Sequence, residues 1–310
     1  QVFGYNLVAG GYLSLFFTKV FGIPAAAVST MILVLGIWDT INDPIMGGII
    51  DKTRTRFGKL RPYLMVVPIP LSIATIMLFA GPEILADAKT TTVKIVYMYI
   101  SYIIWELFYT LGDVPFWGLS TAISPNPNDR TTAISSARMI SGIFGGLSTT
   151  ALVVMMDLSN NGKWGLTLSQ DFLILAIIAG TVGMALFSLA GFKTKERVVQ
   201  SVKEPSIIDG FKVLFKNKPL LLIIIGNVLG TLAGLSGVFQ TYYYSEVLNL
   251  NSAVLWINLP GTIFGFLTYL FIPKLKNKFD NRQIVILNIV MIILCIHIIS
   301  MLQIIMIQQE

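Results

Sequence analysis

Long apolar runs alternate with short polar loops along the whole chain. The runs near 1–20, 25–50, 61–80, 93–123, 132–156, 171–192, 219–244, 252–273 and 283–306 each suit a membrane helix, for which about 20 residues cover the hydrocarbon. An all-α membrane protein of nine spans is predicted. The fourth run is too long for one straight span, so its ends are expected to extend beyond the hydrocarbon or to bend at Pro115.

Two of these runs carry polar residues where lipid-crossing helices avoid them. The second contains Ile37-Trp38-Asp39-Thr40-Ile41-Asn42-Asp43-Pro44-Ile45-Met46-Gly47. An acid near the centre of a spanning helix costs about 2.5 to 3.5 kcal/mol on the insertion scale, a cost that a purely structural helix has no reason to carry. Asp39, Asn42 and Asp43 stand at i, i+3 and i+4, so their oxygens leave one face, which can receive a small cation. The bland alternative is a polar knot between helices. The fourth run contains Glu106-Leu107-Phe108-Tyr109-Thr110-Leu111-Gly112-Asp113-Val114-Pro115-Phe116-Trp117. Glu106, Thr110, Asp113 and Trp117 again share a face. Acid, hydroxyl and indole together suit a polar ligand with an apolar side, the character of a sugar. No motif supports a role for Glu106. Arg138, about two turns into the fifth run, either pairs with Asp113 or Asp43 or snorkels to the boundary.

Composition agrees with the pattern. Of 310 residues 55% are hydrophobic and 12% charged, and the mean hydropathy is +0.75. The net charge of +6 does not imply nucleic acid, because the basic residues fall in alternate loops. Loops 51–61, 124–131, 193–218 and 274–282 hold 17 Lys and Arg, against 4 in loops 19–24, 81–94, 157–170 and 245–251. The first set is therefore expected in the cytoplasm, with the N-terminus, in a multi-pass protein of the cell membrane and its lipid bilayer. Residues 1–192 then form a six-helix bundle, 193–218 a cytoplasmic linker with an amphipathic stretch at Ile207–Phe215, and 219–310 three further helices. The basic loops after the second and eighth runs lie six spans apart, which points to two related halves. The chain opens on Gln1 inside an apolar run and stops at Gln308-Gln309-Glu310, so both ends read as cut.

Other chemistry is missing from the sequence. Cys295 is the one cysteine, His297 reads as packed or interfacial, and Met155-Met156 as packing. There is no phosphate loop, no His/Cys metal spacing and no nucleophile beside a base, so neither an enzyme nor an ATP-driven pump is expected, and no cofactor.

The motif Trp38–Gly47 followed by Asp51-Lys52-Thr53-Arg54-Thr55-Arg56-Phe57-Gly58-Lys59-Leu60-Arg61-Pro62 resembles the glycoside-pentoside-hexuronide:cation symporter family. Tyr109–Trp117 with Asp129-Arg130 and Arg138 matches its second signature. The resemblance implies a major facilitator fold with about nine of its twelve helices present and a monomer that carries a sugar or glycoside with a cation by alternating access. It also implies that Asp39, Asn42, Asp43 and Thr110 bind the metal ion sodium or lithium, or a proton, and that Tyr109, Asp113, Trp117 and Arg138 contact the sugar. Two departures bear on the sugar: Gly36 stands where members often carry arginine, and Phe3 where a well-known member has an acidic sugar ligand. A lipid or lysolipid carrier on the same scaffold, or a receptor or structural bundle that moves nothing, are the competing readings.

Overall fold

A computed structural model describes residues 2–8, 12–87, 90–197, 216–219, 221–222, 224–226, 239–280, 282–284, 286–287 and 290. Apart from one isolated bridge between Thr55 and Gly58, regular structure among them is helical. The helices are α1 (Val2–Val8), α2 (Tyr12–Leu15), α3 (Ala25–Lys52), α4 (Arg61–Val66), α5 (Pro68–Ile84), α6 (Thr91–Ala122), α7 (Pro127–Asn160), α8 (Leu168–Ile178), α9 (Met184–Lys193) and α10 (Ala253–Lys278). Wider π-helical turns at Phe16–Val20 and Ala179–Gly183 extend α2 and join α8 to α9, and a third lies at Tyr243–Val247.

Among the described residues four helical stretches, Ala25–Lys52, Thr91–Ala122, Pro127–Asn160 and Leu168–Lys193, are long and apolar enough to cross a membrane. The third expected span arrives in two pieces, α4 and α5, divided at Val67. Pro68 and Pro70 supply no N–H there, which removes two rungs of the helical ladder. The fourth is one helix of 32 residues with Pro115 inside it. At 1.5 Å per residue it is about 48 Å long, well beyond a hydrocarbon layer of about 30 Å, so the extended-ends expectation fits. Most of the expected linker and of the ninth span, with Cys295 and His297, lies outside the described residues. Met155 and Met156 are buried, as packing residues should be.

The two sides of α3 show why a helix apolar all round can still have a direction. Leu33, Ile37, Ile41, Ile45 and Ile49 form an exposed stripe, while Met31, Leu35, Asn42, Met46 and Ile50 form a buried one. Asn42 is therefore the polar member of an inward face that otherwise packs against the bundle. α3 packs on α6, α5 on α6 and α8, α4 on α9, and α1 and α10 on α7. A core of phenylalanines, with Phe16 in ring contact with Phe17, Phe21, Phe79 and Phe172, fills the end of the bundle near the α2–α3 turn.

At the opposite end the chain after α9 is tied down. The Glu196 carboxylate accepts three backbone N–H groups, from Lys59 at 3.0 Å, Leu60 at 2.8 Å and Arg61 at 3.0 Å, where α4 begins. Arg61 Nε donates to the Gly191 carbonyl at 2.9 Å, and the Arg197 N–H donates to the Ala122 carbonyl at the end of α6, also at 2.9 Å. Two glycines make room for this. A Cβ on Gly58, whose φ is +106°, would meet the Glu196 carboxylate at 2.5 Å, and one on Gly191 would meet Met65 Cγ at 2.8 Å.

Later residues meet the first helices through polar contacts. Asp157, near the end of α7, accepts from the backbone N–H and the side-chain amide of Asn251 and from the Ser252 N–H, each at 2.9 Å, where α10 starts. At the other end of the same helix pair Lys276 donates to Thr131 at 2.6 Å. Thr18 and Tyr242 share a hydrogen bond of 2.9 Å, and Lys19 pairs with Glu246. That last pair is half-exposed, where an ion pair contributes little.

Candidate functional site

Two groups of predicted residues come together in space. The first sits where α3 crosses α6. Asn42, 1% exposed, donates from Nδ2 to Thr110 Oγ1 at 3.1 Å, and the Thr110 hydroxyl donates to Asp43 Oδ1 at 3.3 Å. Thr110 is 4% exposed and Asp43 lies on the open side. One turn before Asp43, Asp39 completes the set, close enough for the charges of the two carboxylates to act on one another. Asp39 Oδ1 and Asn42 Oδ1 are buried with no hydrogen-bond partner. Buried oxygens are nearly always paired, so two in one place mark a position prepared for something else. The four side chains offer carboxylate, amide and hydroxyl oxygen only, the hard donor set that suits a small hard cation. No group of three His, Cys, Asp or Glu fit for a metal occurs among the described residues, so such a cation would depend on Asn42 and Thr110.

The second group lines a cavity of about 870 Å³. Tyr109, Asp113, Trp117 and Arg138 all face it, joined by Tyr5 and Asn6 from α1 and by Thr262 and Tyr269 from α10. Helices from both parts of the chain thus enclose the space. Thr110 follows Tyr109 on α6, so the two groups are neighbours, but the first quartet does not line this cavity.

Arg138 lies beside another of the predicted residues. Its guanidinium lies 4.3 Å from the centre of the Trp117 ring. A planar, weakly hydrated cation gains from an aromatic face without the tight desolvation that a buried ion pair demands. Arg138 is exposed to the open cavity. Glu106 is half-buried, accepts a hydrogen bond from Tyr102 one turn back, and feels the charges of Asp39, Asp43 and Asp113.

Sequence reasoning missed Tyr5 and Trp105. Tyr5 stacks on Tyr109 with ring centroids 5.4 Å apart, and Trp105 stacks on Tyr109 at 4.9 Å. The i, i+4 spacing of Trp105 and Tyr109 on α6 was a readable signal. Nothing in the sequence brings Tyr5 to them.

Comparison with known proteins gives a consistent result. The family model described as MFS/sugar transport protein matches residues 2–308. The uncharacterized symporter YnaJ of Bacillus subtilis is 32% identical over 284 residues, covering 88% of this chain and 58% of its own length. The isoprimeverose transporter of Lactiplantibacillus pentosus is 30% identical over 287 residues, covering 91% and 58%. A glucuronide carrier protein homolog of Escherichia coli is 29% identical over 257 residues, covering 81% and 54%. The chain therefore spans less than two thirds of the length of these relatives.

Proposed function

The chain belongs to the MFS/sugar transport protein family, and from that premise we propose that it serves cation-coupled symport of a sugar or glycoside across the cell membrane. The observation that carries this reading is the pairing of an oxygen quartet holding two buried, unpartnered oxygens with an open, aromatic-lined cavity one residue away. Asp39, Asn42, Asp43 and Thr110 take the cation. Tyr109 and Trp117 offer ring faces to the apolar side of a pyranose, while Asp113 and Arg138 accept from and donate to its hydroxyls.

Adjacency makes coupling possible. Thr110 belongs to the cation set and Tyr109 to the sugar set, so a cation that fixes the α3–α6 crossing also fixes the Tyr109 ring. Each ligand then finds the other's site better formed, which is reciprocal coupling. Sodium and a proton compete on this reading. Two carboxylates one turn apart repel as anions, and either a metal ion or a shared proton relieves them.

The alternation of basic loops supports a cytoplasmic side for the N-terminus and the Glu196 clasp. Alternating access then proceeds by rocking of the first helices against the later ones, with the Asp157 contacts to α10 at the outer end. The carrier works as a monomer, since both site groups are built within one chain. The test is uptake of labelled isoprimeverose and methyl glucuronide, the sugar classes named for the relatives, into vesicles holding the complete protein, with and without a sodium or proton gradient. Gradient-driven accumulation is expected. Gradient-independent lipid movement without sugar uptake would favour a lipid carrier, and no flux of either would sink the transport reading.

A further inference from the structure

Tyr109 presents its ring to the cavity, yet two residues that hold it do not line the cavity at all. Trp105, one turn back on α6 and 3% exposed, stacks on Tyr109 with planes 16° apart. Its indole N–H donates to Thr75 Oγ1 on α5 at 3.2 Å. Thr75, 1% exposed, gives its own proton to the Leu71 carbonyl at 2.7 Å. That second bond fixes the hydroxyl rotor, so a lone pair faces the indole. The other side of Trp105 is occupied as well, with Tyr102 tilted against it at 5.8 Å. Such an anchor is not automatic in this bundle: Trp38 has a buried indole nitrogen with no partner.

We propose that Trp105, locked by Thr75, is a positioning residue that sets the plane of Tyr109 for the substrate. The proposal rests on reading the cavity as a sugar site. A tyrosine ring in an open cavity can turn about its side-chain torsions, and a stacked sugar face tolerates little of that motion. Trp105 is buried on α6 and hydrogen-bonded to α5, so the ring plane inherits the packing of two helices. Tyr5 completes a near-parallel series with Tyr109, at 24° to it. The cavity wall is thus the exposed end of a stack whose foot is pinned in the bundle.

The test compares Thr75→Val, which keeps shape and removes the acceptor, with Thr75→Ser, which restores a hydroxyl, and with Trp105→Phe. In vesicles of the complete protein, KM for labelled isoprimeverose or methyl glucuronide should rise about two- to tenfold in Thr75→Val and Trp105→Phe, the range an aromatic pair is worth. kcat and the sodium concentration for half-activation should stay close to wild type, and Thr75→Ser should behave as wild type. In a Tyr109→Ala background Thr75→Val should change KM no further, the non-additivity of residues acting through one another. An undiminished effect in that background, or a parallel loss of sodium activation, would overturn the proposal. Ultraviolet resonance Raman spectra give a readout independent of transport. Thr75→Val should move one indole N–H band to its unbonded position, and an unmoved band overturns the lock. Absence of uptake by wild type overturns the sugar reading instead.

Discussion

Thr110→Val separates sodium chemistry from everything else at the α3–α6 crossing. Valine keeps the shape of threonine and removes the hydroxyl that accepts from Asn42 and donates to Asp43. Two consequences follow at different scales. The Asn42 amide, 1% exposed, loses its partner, and an unsatisfied buried donor costs about 1 to 3 kcal/mol of stability. On the proposed cation site a sodium ion would lose one of four oxygens, and a contact to a charged group is worth about 1.5 to 3 kcal/mol. At about 1.4 kcal/mol per decade, the sodium concentration for half-activation should rise roughly ten- to 150-fold. Proton-driven uptake needs only the carboxylates and should persist. The assay is sugar uptake against sodium concentration at several pH values, in wild type, Thr110→Val and Thr110→Ser. Sodium stimulation should weaken as pH falls in wild type, and serine should recover most of the loss. A sodium constant unchanged in Thr110→Val, or a loss of proton-driven and sodium-driven uptake in equal measure, would refute the assignment of Thr110 as a ligand.

Three further outcomes are expected. Asp39→Asn and Asp43→Asn should each abolish uphill accumulation while leaving some downhill sugar exchange, measured by counterflow; undiminished accumulation in both would remove the carboxylates from the cation site. Asp113→Asn keeps shape and loses charge, so sugar affinity should fall by about 1.5 to 3 kcal/mol while cation binding survives, and a sugar titration with an unchanged dissociation constant would place Asp113 outside the site. Gly191→Ala forces a Cβ to within 3.0 Å of the α4 backbone, so overpacking should cost about 1 to 3 kcal/mol and lower the thermal midpoint, whereas an unshifted melting curve would show that α9 can slide away.

Much of the first site was legible because it lies within single helices. Asp39, Asn42 and Asp43 share a face by spacing alone, and of the three Asn42 falls on the buried stripe of α3. The partner across the helix crossing was not legible from spacing. Periodicity gives the direction of a side chain from its own axis, but the hydrogen bond from Asn42 to Thr110 depends on how two axes meet. The resemblance to the symporter family supplied Thr110 where the pattern could not. Arg138 shows the reverse limit. Its cost in the membrane was readable, but a cation can be relieved by a ring as well as by an acid, and the contact with Trp117 arises from the packing of α6 on α7. The spacing of Trp105 from Tyr109 was readable, but its role was not: an aromatic in an apolar helix looks the same whether it fills space or aims its neighbour. Division of the third span at Val67 followed from Pro68 and Pro70, although the apolar run itself reads as continuous.

The Glu196 clasp has a mechanical meaning for the segment that follows it. Three donors from Lys59, Leu60 and Arg61, together with the bond from Arg197 to Ala122, fasten the exit of the first bundle at two neighbouring points. The described chain is therefore fastened as far as Arg197, whose N–H meets the last residue of α6, and not only as far as the last turn of α9. Residues 194–196 cannot peel away without stripping a carboxylate from three amides. A force applied at Arg197 is delivered to the foot of α6, the helix that carries Thr110, Asp113 and the Tyr109 stack.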